Sequence, residues 1–449
     1  MNDADTPLPT ALIAATHEQF VAWLRDVAPY VHAHRGRTFV VALSGELIEA
    51  GHLNALVHDL SLLHAMGIRL MLVHGSRPQV QAQLRLKNLP AHFSHGMRIT
   101  DAPALECAKE ASGEIRLDIE AAFSQGLPNT PMAHARIRVV SGNFVTARPV
   151  GIVDGVDFQH TGLVRKVDAD AIRRALANDT IVLASPLGFS PTGEAFNLTM
   201  EDAATGIAVA LKADKLVLIT EIDGVRDKGG TLVEELTVAQ AEDLLAENEI
   251  ATGSEHALRA ALKACRGGVN RVHLIPFALD GGLLIELFTH DGVGTMVSVE
   301  NLESLREATV EDVGGLLKLL EPLEADGTLV KRPRELIERE IERFTVLEHD
   351  GVIYGCAALY PFPDAKMGEL AALNVHVDDQ GYGDGERLLR RIETRARQAG
   401  MARLFVLTTR TAHWFLKRGF TAASVDDLPP HRQHMYNWQR KSQVLVKSL

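Results

Sequence analysis

The chain has little of what secreted and metal-binding proteins depend on. Its 449 residues include only three cysteines, at positions 107, 265 and 356, and none of them forms a C-x-x-C pair. This spacing excludes a disulfide framework and the usual zinc motifs. The 19 histidines include no H-E-x-x-H pattern. We therefore expect a reducing compartment and no metal ion.

The sequence also lacks membrane-spanning, signal and strongly basic segments. No apolar run reaches the roughly 18–20 residues that a bilayer-spanning helix needs, and the opening MNDADTPLPT is acidic. A net charge of −12 and a pI near 5.9 argue against nucleic acid or an anionic membrane as the main partner. We expect a cytoplasmic protein.

What is present is an ordinary globular composition, with 46% hydrophobic and 23% charged residues. A chain of this length is too long for one core, so we expect two or three domains. A helix is predicted from about 11 to 34, because Phe20, Leu24, Val27 and Val31 form one apolar stripe. We expect this helix to pack on its own domain or on another subunit.

Short apolar strands alternate with longer helical segments from Thr38 to about Val299. This order predicts a mostly parallel sheet covered on both faces, with ligands at the carboxyl ends of its strands. The polar region Arg136–Gly162 is predicted to form hairpins beside that sheet. The predicted strands are Phe39–Leu43, Arg69–Val73, Thr180–Ala184, Leu216–Thr220 and Val272–Ile275.

A second pattern begins at Leu305 and is long enough for one α+β domain. Its helices are predicted at Val310–Leu323, Pro333–Arg343 and Thr411–Arg418. Its strands are predicted at Phe344–Glu348, Val352–Leu359 and Arg403–Thr408, with a final strand near Gln443–Val446.

Within this second unit, residues 368–400 carry the most informative motif. An alternating strand runs into a Gln-x-x-Gly-x-Gly turn, Gln380 to Gly385, and then into an amphipathic helix. A helix that begins in such a turn presents bare backbone N–H groups, which favour a pyrophosphate. A Rossmann interpretation fits poorly, because no βαβ unit follows with an acidic residue at the end of its second strand.

The turn resembles the acetyl-CoA-binding motif of the GNAT acyltransferase superfamily, Arg/Gln-x-x-Gly-x-Gly/Ala. That resemblance implies a CoA pyrophosphate held by backbone N–H groups and a pantetheine arm paired with the preceding strand. The cofactor-binding residues it implies are Leu373, Val375, Gln380, Gly381, Gly383, Gly385 and Glu386.

A later stretch, Trp414 to Phe420, resembles the helix-to-strand motif F-Y-x-x-x-G-F of the same superfamily. The tyrosine that often acts there as general acid is absent, and Phe415 stands in its place. Protonation of the departing thiolate must therefore come from elsewhere. We name Ser442 as the candidate acid.

The block from Pro322 to Leu449 resembles N-acetylglutamate synthases, through stretches such as GTLVKRPRELIERE, GELAALNV and QRKSQVLVKSL. The resemblance implies direct attack of the L-glutamate amine on acetyl-CoA, giving N-acetyl-L-glutamate and CoA as the first step of arginine biosynthesis. Amine acetylation needs a base, for which Glu369 is the candidate; its alternative interpretation is a solvent-exposed strand end. A dicarboxylate substrate needs cationic partners, and the implied substrate-binding residues are Lys331, Arg332, Thr408 and Arg440.

Residues 38–298 resemble the amino-acid kinase family, through LVHGSRPQV, FNLTMEDAATGIAVAL, LVLITEIDGVRD and ELFTHDGVGTMV. Asp202 and Lys228 stand at family-like positions. However, Leu43 replaces the lysine of the first phosphate loop, and Glu46 stands where phosphate oxygens would approach. Losing that lysine removes a main electrostatic donor, so we predict a kinase-like fold without kinase activity.

The segment from His273 to Gly294 resembles the arginine-binding segment of arginine-sensitive acetylglutamate kinases. It implies L-arginine as a feedback inhibitor, with His273, Glu286 and Gly292 at its site. The N-terminal helix resembles the interlacing helix of those kinases, which implies a homo-oligomer, with a hexamer favoured.

The predicted fold class is therefore α/β: a three-layer, parallel-sheet, amino-acid-kinase-like domain followed by an α+β GNAT domain. The predicted boundaries are 1–36 for the N-terminal helix and oligomerisation arm, 37–298 for the kinase-like domain, 299–304 for a linker and 305–449 for the acetyltransferase domain. Two alternatives stay open: a bifunctional synthase–kinase, and a non-catalytic arginine sensor.

Overall fold

Sheets of two different kinds build this protein. The computed structural model describes residues 10–126, 132–133, 135–247, 254–289, 292–299, 303–381 and 383–449. The chain divides into two units, residues 1–300 and 301–449. Positions 300–302 of the predicted linker lie outside the described residues. In the described ranges, no helix is both long and apolar enough to cross a membrane.

Helices of the first unit lie on both faces of its main sheet. They are α1 (Thr10–His34), α2 (Gly45–Glu49), α3 (Leu53–Ala65), α4 (Arg77–Leu86), α5 (Ala102–Ser124), α6 (Ala169–Ala177), α7 (Met200–Leu211), α8 (Val238–Ala246), α9 (Glu255–Arg266) and α10 (Gly282–Phe288).

Strands of the first unit are mostly short. They are β1 (Thr38–Leu43), β2 (Arg69–His74), β3 (His92–Ser94), β4 (Met97–Ile99), β5 (Val139–Ser141), β6 (Val145–Pro149), β7 (Ile152–Val153), β8 (Val156–Asp157), β9 (Gly162–Val167), β10 (Ile181–Ala184), β11 (Leu187–Phe189), β12 (Ala195–Asn197), β13 (Lys215–Thr220), β14 (Val225–Arg226), β15 (Leu232–Val233), β16 (Glu235–Thr237), β17 (Arg271–Pro276) and β18 (Thr295–Ser298).

The main sheet has eight strands in the order β16-β18-β17-β13-β1-β2-β10-β5. All its pairings are parallel except β17 with β18. Alternate residues of β1 face two separate cores: Val40 and Ala42 face one, and Phe39, Val41 and Leu43 face the other. This is the predicted three-layer arrangement, in which strands covered on both faces are apolar throughout.

The region predicted to form hairpins beside the main sheet instead contributes strands to three different sheets. Its first strand, β5, is an edge strand of the main sheet. The next, β6, belongs to a four-stranded sheet in the order β12-β11-β6-β9, and only β7 and β8 form a small hairpin. A polar run cannot by itself reveal which edge a short strand joins.

The predicted N-terminal helix is present as α1. Its second half packs on the first unit: Val27 is buried, and His34 Nε2 lies 2.9 Å from the carbonyl oxygen of Leu287. Nearer the middle of α1, Phe20 and Trp23 are each 59% exposed. The apolar stripe is therefore only partly used within the unit.

The second unit contains one seven-stranded sheet in the order β19-β20-β21-β22-β23-β25-β24. Its strands are β19 (Glu303–Glu307), β20 (Phe344–His349), β21 (Val352–Phe362), β22 (Met367–Val375), β23 (Arg403–Thr408), β24 (Thr421–Ala423) and β25 (Gln443–Ser448). Its helices are α11 (Val313–Ala325), α12 (Arg334–Arg339), α13 (Asp384–Gln398), α14 (Ala412–Leu416) and α15 (Pro430–His434).

Helix α13 packs across one face of this sheet. Its residues Leu388, Leu389, Ile392 and Ala396 are all buried in one core with strand residues such as Leu370. These four residues form the apolar face of the predicted amphipathic helix. The opposite face of the sheet packs on α11 and α12 in a separate core.

Candidate active site

The glycine-rich turn between β22 and α13 has the backbone shape that its sequence predicts. Gly381 and Gly383 have φ angles of +106° and +98°, a region that side chains disfavour. Gly383 is the residue before the first turn of α13. Gln380 Nε2 donates to the carbonyl oxygen of Val375, at 2.9 Å. Position 382 lies outside the described residues.

The third glycine of the turn serves close packing. A Cβ atom at Gly385 would lie 3.2 Å from Trp414 Cζ2. The guanidinium of Arg418 in turn lies 3.9 Å from the centroid of the Trp414 ring. Phe415, which replaces the expected tyrosine, is buried and contacts the Trp414 ring edge-on.

Carboxylates in the first turn of α13 are neutralised by arginines. Glu386 accepts from Arg390 at 2.6 Å and lies 3.6 Å from Arg418. Asp384 accepts from Arg387 at 2.7 Å. The N-terminus of α13 therefore keeps its favourable dipole for an anion without an uncompensated negative charge beside it.

Strand β22 has an edge that is paired over only part of its length. Its parallel pairing with β23 runs from Met367 to Leu370. Beyond Leu370, no described strand pairs with that edge, although β21 follows the other edge as far as Val375. Ala372 has a φ of +50° where the register with β21 shifts, as in a β-bulge. The open edge at Leu373 and Val375 leads directly to the turn, so an extended molecule can pair there.

The candidate base, Glu369, is buried rather than exposed. It is 9% exposed, so the alternative interpretation as a solvent-exposed strand end is wrong. Both carboxylate oxygens accept from one guanidinium: Arg432 Nε donates to Oε2 at 2.7 Å and Arg432 Nη2 to Oε1 at 2.9 Å. This bidentate pair fixes the direction of the carboxylate.

Two of the predicted substrate-binding arginines meet at one loop, residues 326–332. Arg440 Nη2 donates to the carbonyl oxygens of Gly327 and Thr328, at 3.0 and 2.8 Å. The backbone N–H of Arg332 donates to Glu324 Oε1 at 3.0 Å. Lys331, beside it, is exposed. The structure thus brings three predicted cations to this loop.

Two residues that sequence reasoning missed lie against the candidate base. Arg432 has no motif to reveal it, since it lies on the five-residue helix α15, 63 positions from Glu369. Tyr360 is directly opposite Glu369 in the pairing of β21 with β22. Burial raises the pKa of the Tyr360 hydroxyl, although the nearby charge of Arg332 acts to lower it. Opposite residues share a face, so Tyr360 links Arg332 to the neighbourhood of Glu369.

The remaining two predicted residues have local roles. Thr408 Oγ1 accepts from the backbone N–H of Thr411 at 3.0 Å, which organises the start of α14. The carbonyl oxygen of Ser442 accepts from the Tyr436 hydroxyl at 2.5 Å, and Ser442 itself is half-buried. Their assignments to substrate and to proton donation stay predictions.

In the first unit, the three predicted arginine-site residues come together. His273 Nδ1 lies 2.6 Å from Glu286 Oε1, and His273 Nε2 lies 3.0 Å from Lys215 Nζ. Burial, and then the charge of Lys215, lower the pKa of His273 to about 4. The ring is therefore neutral at physiological pH, accepting from Lys215 and donating to Glu286.

Glu286 is held from its other side by backbone donors. Its Oε2 accepts from the N–H groups of Val293 and Gly294, at 2.8 and 3.2 Å. Gly292 packs so closely that a Cβ there would lie 2.6 Å from Oε2. Burial raises the pKa of Glu286, but the hydrogen bonds that the carboxylate accepts outweigh it and leave the pKa below its ordinary value. The carboxylate is therefore ionised and ordered.

The first phosphate loop of the first unit differs in its surroundings from a bare glycine loop. Leu43 is fully buried in the core. Gln79 Nε2 donates to the Gly45 carbonyl oxygen at 2.7 Å, and its side chain occupies the space beside that glycine. Asp202 accepts from Lys263 at 2.6 Å.

Comparisons with known proteins agree with this two-part architecture. Residues 37–276 match the amino acid kinase family, and residues 340–422 match the acetyltransferase (GNAT) domain. An amino-acid acetyltransferase of Ralstonia nicotianae is 64% identical over 432 residues, covering 96% of each chain. One of Ectopseudomonas mendocina is 54% identical over 433 residues, covering 96% of this chain and 99% of the relative.

The chain belongs to the amino-acid acetyltransferase family. It is accordingly an acetyltransferase with an amino-acid-kinase-like first unit and a GNAT second unit, as predicted. Among solved structures, N-acetylglutamate synthase of Neisseria gonorrhoeae complexed with coenzyme A and L-arginine aligns with a TM-score of 0.84. It is 42% identical, and the alignment covers 96% of this chain and 99% of the other. The same enzyme with coenzyme A and N-acetyl-glutamate aligns over the same shares with a TM-score of 0.60.

Within the described part of this acetyltransferase, no group of three or more histidine, cysteine or acidic side chains is arranged to hold a metal ion.

Proposed function

We propose that this acetyltransferase moves the acetyl group of acetyl-CoA to the α-amine of L-glutamate, giving N-acetyl-L-glutamate and CoA. The observation that carries the proposal is the open edge of β22, which begins two residues after Glu369 and leads to the glycine turn before α13. A pantetheine arm paired along Leu373 and Val375 would set its pyrophosphate at the helix N-terminus. The solved Neisseria relative, which contains coenzyme A, supports this placement.

The proposed reaction is direct attack in a ternary complex. The glutamate nitrogen, after giving a proton to Glu369, attacks the thioester carbonyl carbon, and the C–S bond breaks to release the CoA thiolate. Ser442 is the proposed proton donor to that thiolate, and the second proton that the nitrogen loses as the amide forms restores the serine hydroxyl. An acyl-cysteine intermediate is disfavoured: Cys356 is fully buried, and burial raises the pKa of its thiol to about 12.

Recognition of a dicarboxylate is the proposed role of the cations at the 326–332 loop. Arg332 and Arg440 are guanidinium donors suited to paired carboxylate oxygens, with Lys331 and Thr408 beside the same path. Arg440 already bonds two backbone carbonyls of the loop through Nη2. It would therefore order the loop as well as contact substrate.

The test is thiol release from acetyl-CoA by the full chain with L-glutamate, L-aspartate, L-ornithine and L-lysine, and with L-glutamine as the shape-matched, uncharged control. We expect glutamate to be the best substrate. Glutamine should be poorer by about 10–100-fold in kcat/KM, the scale of a lost hydrogen bond to a charged group. Equal rates with all five amino acids would overturn the glutamate assignment.

We further infer that L-arginine is a feedback inhibitor that binds near His273, Glu286 and Gly292. The ionised, ordered carboxylate of Glu286 suits a guanidinium partner, and the arginine complex of the Neisseria relative supports this. Titration of arginine into the thiol assay should lower the rate. Glu286→Gln should blunt that effect and leave turnover without arginine unchanged. Full arginine sensitivity in the variant would contradict this assignment.

Three further assignments stay proposals. Exposed Phe20 and Trp23 on α1 support an oligomerisation arm. Phe20→Ser with Trp23→Ser should then reduce the molar mass in solution, whereas an unchanged mass would oppose it. Boundaries at 36, 298 and 304 and a cytoplasmic location follow from the sequence pattern.

The alternatives lose support for specific reasons. A bifunctional synthase–kinase needs a lysine in the first phosphate loop, where this chain has Leu43, which is buried in the core. A non-catalytic arginine sensor would not need an intact turn, an open strand edge and an oriented Glu369. If acetyl-CoA is neither bound nor consumed with glutamate, the sensor is the correct alternative.

A further inference from the structure

The residue opposite the candidate base is a tyrosine to which the proposed reaction gives no role. Tyr360 on β21 pairs directly with Glu369 on β22, and such opposite residues project from the same face of a sheet, with Cβ atoms about 4.5–5.5 Å apart. Leu370, the next residue of β22, joins the core beneath α13, so Glu369 projects from the other face. Tyr360 packs on that other face, against the core that α11 and α12 cover.

The ring of Tyr360 is held by charged side chains that lie between α12 and β20. The Arg343 guanidinium lies 4.7 Å from the ring centroid, which is a cation–π contact. Arg343 Nη1 also lies 3.6 Å from Glu340 Oε1, and Glu340 interacts with the Tyr360 hydroxyl. A guanidinium over the ring and a carboxylate at the hydroxyl therefore fix the ring from two directions.

The Tyr360 hydroxyl lies between two opposite charges. Burial raises its pKa, the charge of Arg332 and a hydrogen bond with it act to lower that pKa, and Glu340 raises it. A phenol can accept from a guanidinium and donate to a carboxylate at the same time. The two contacts thus form a chain in which Arg332 donates to Tyr360 and Tyr360 donates to Glu340.

Arg332 keeps its charge available at the end of this chain. Burial raises the pKa of the Cys356 thiol on β21, and the charge of Arg332 acts in the opposite direction, so the guanidinium lies near that strand. Its Nη1 donates to the carbonyl oxygen of Val330 at 3.1 Å. Over the part of the chain that the structure describes, Arg332 forms no ion pair. Its side chain has only neutral acceptors there, which leaves the charge for a ligand carboxylate.

We propose that Tyr360 is a positioning residue for the glutamate site, holding the Arg332 guanidinium on the face of the sheet from which Glu369 projects. Glu369 takes the proton of the amine, and Arg332 binds a carboxylate of the same molecule. Tyr360 therefore sets the distance between these two points and favours glutamate over aspartate, which is one methylene shorter. This inference rests on the proposed acetylation of L-glutamate.

The test is steady-state thiol release by the full chain and its Tyr360→Phe variant, with L-glutamate and L-aspartate as substrates. Phenylalanine keeps the ring beneath Arg343 but removes the hydroxyl that contacts Arg332. We expect the KM for glutamate to rise about tenfold, the scale of one lost hydrogen bond to a charged group, with kcat within about threefold of the natural value. The ratio of kcat/KM for glutamate to that for aspartate should fall by about threefold or more, because Arg332 is no longer held at one distance.

A double variant separates positioning from an independent contact with substrate. Arg332→Gln alone should raise the KM for glutamate by more than Tyr360→Phe does, because it removes the carboxylate's donor. Adding Tyr360→Phe to Arg332→Gln should then change that KM by no more than about twofold, since the hydroxyl acts through Arg332.

The matched control is Tyr354→Phe, which removes another half-buried hydroxyl of β21. That hydroxyl donates to Glu303 Oε1 at 2.7 Å. The KM for glutamate and the preference for glutamate over aspartate should both stay unchanged in this variant.

Four results would overturn the proposal. An unchanged KM for glutamate in Tyr360→Phe would show that Arg332 needs no positioning by the phenol. Effects that multiply in the double variant would show that Tyr360 acts independently of Arg332. An equal rise in the KM for acetyl-CoA would indicate a general loss of structure. A fall in kcat at unchanged KM would make Tyr360 part of the chemistry.

The natural chain distinguishes this failure from failure of the proposed function. If it uses aspartate as well as glutamate, the proposed function and the role of Tyr360 fail together. If it prefers glutamate and Tyr360→Phe keeps both that preference and the KM, the role of Tyr360 fails alone.

Discussion

The two units differ in whether the charged side chains at their candidate sites have hydrogen-bond or ion-pair partners. In the acetyltransferase unit, Glu369 is held by Arg432, and Arg440 is held by two carbonyls. In the kinase-like unit, Arg77, Glu46, Glu201 and Glu221 line a cavity and form no ion pairs among the described residues. Both sites lie at or beside the ends of parallel strands.

This difference separates a site arranged for chemistry from one arranged for binding. A base must be presented in one direction to a reacting atom, and bidentate pairing provides that. A receptor site gains most when its charges are satisfied only by the ligand. Four predictions would break or sharpen the comparison.

The largest effect is expected from removing the candidate base. Glu369→Gln keeps the shape of the side chain but cannot take a proton, so kcat should fall by about 10²–10⁴-fold with little change in KM. Steady-state thiol release measures this. Glu311→Gln, an exposed carboxylate of the same unit, is the control and should be unaffected. A kcat within a factor of about two of the natural enzyme would remove Glu369 from the mechanism.

A smaller loss of kcat is expected when Glu369 is kept but its guanidinium partner, Arg432, is removed. Arg432→Gln leaves the Glu369 carboxylate buried and free to turn, so kcat should fall by about 10–100-fold, the scale of a misplaced catalytic group. Arg432→Lys should restore part of the rate, because it returns the charge but not the bidentate geometry. If the lysine and glutamine variants have the same kcat, orientation by Arg432 is not the cause.

The substrate cations should affect KM more than kcat. Arg332→Gln and Arg440→Gln should each raise the KM for glutamate by about 10–100-fold, as expected for a lost hydrogen bond to a charged group. The KM for acetyl-CoA should stay unchanged. The control is Arg334→Gln, whose side chain is exposed and pairs with Glu338. A rise in the KM for acetyl-CoA alone would place these arginines at the wrong substrate.

The smallest effect concerns Asp59 on α3 of the kinase-like unit, a carboxylate that forms no ion pair among the described residues. Burial, and then Asp280, raise the pKa of Asp59 to about 6. The folded state therefore binds this proton more tightly than the unfolded state. Asp59 therefore leaves the free energy of unfolding unchanged below about pH 4. It lowers that free energy as the pH rises from about 4 to 6, and the full decrease is reached above about pH 6.

Asp59→Asn removes this loss. Scanning calorimetry should show the first unit's Tm raised by about 1–3 °C at pH 8 and unchanged at pH 4, a modest shift because Asp59 is partly solvated. A gain of equal size at both pH values would show that ionisation is not responsible.

Sequence patterns predicted the fold in detail where periodicity decides it. Strand β23 has the predicted bounds, Arg403–Thr408, and α1 differs from its prediction by one residue at its start. The predicted order of strand, glycine turn and helix is present as β22, a turn with positive φ at Gly381 and Gly383, and α13. Local patterns suffice here because backbone conformation and the apolar face depend on near neighbours.

Contacts between residues that are distant in the chain could not be predicted from the sequence. Arg432 meets Glu369 across 63 positions, and Tyr360 faces Glu369 through the pairing of β21 with β22. The hydroxyl of Thr408, which is predicted to contact the substrate, also caps the following turn. Tertiary packing decides each of these, and a single chain records no signal of it.

The central claim is that chemistry resides in the second unit while the first only binds. It is tested most directly by incubating the full chain with acetyl-CoA, L-glutamate and Mg-ATP and measuring CoA and ADP together. We predict CoA release in equal amount to N-acetyl-L-glutamate, with no ADP above the enzyme-free control. ADP formation that depends on N-acetyl-L-glutamate, or an absence of CoA release, would contradict it.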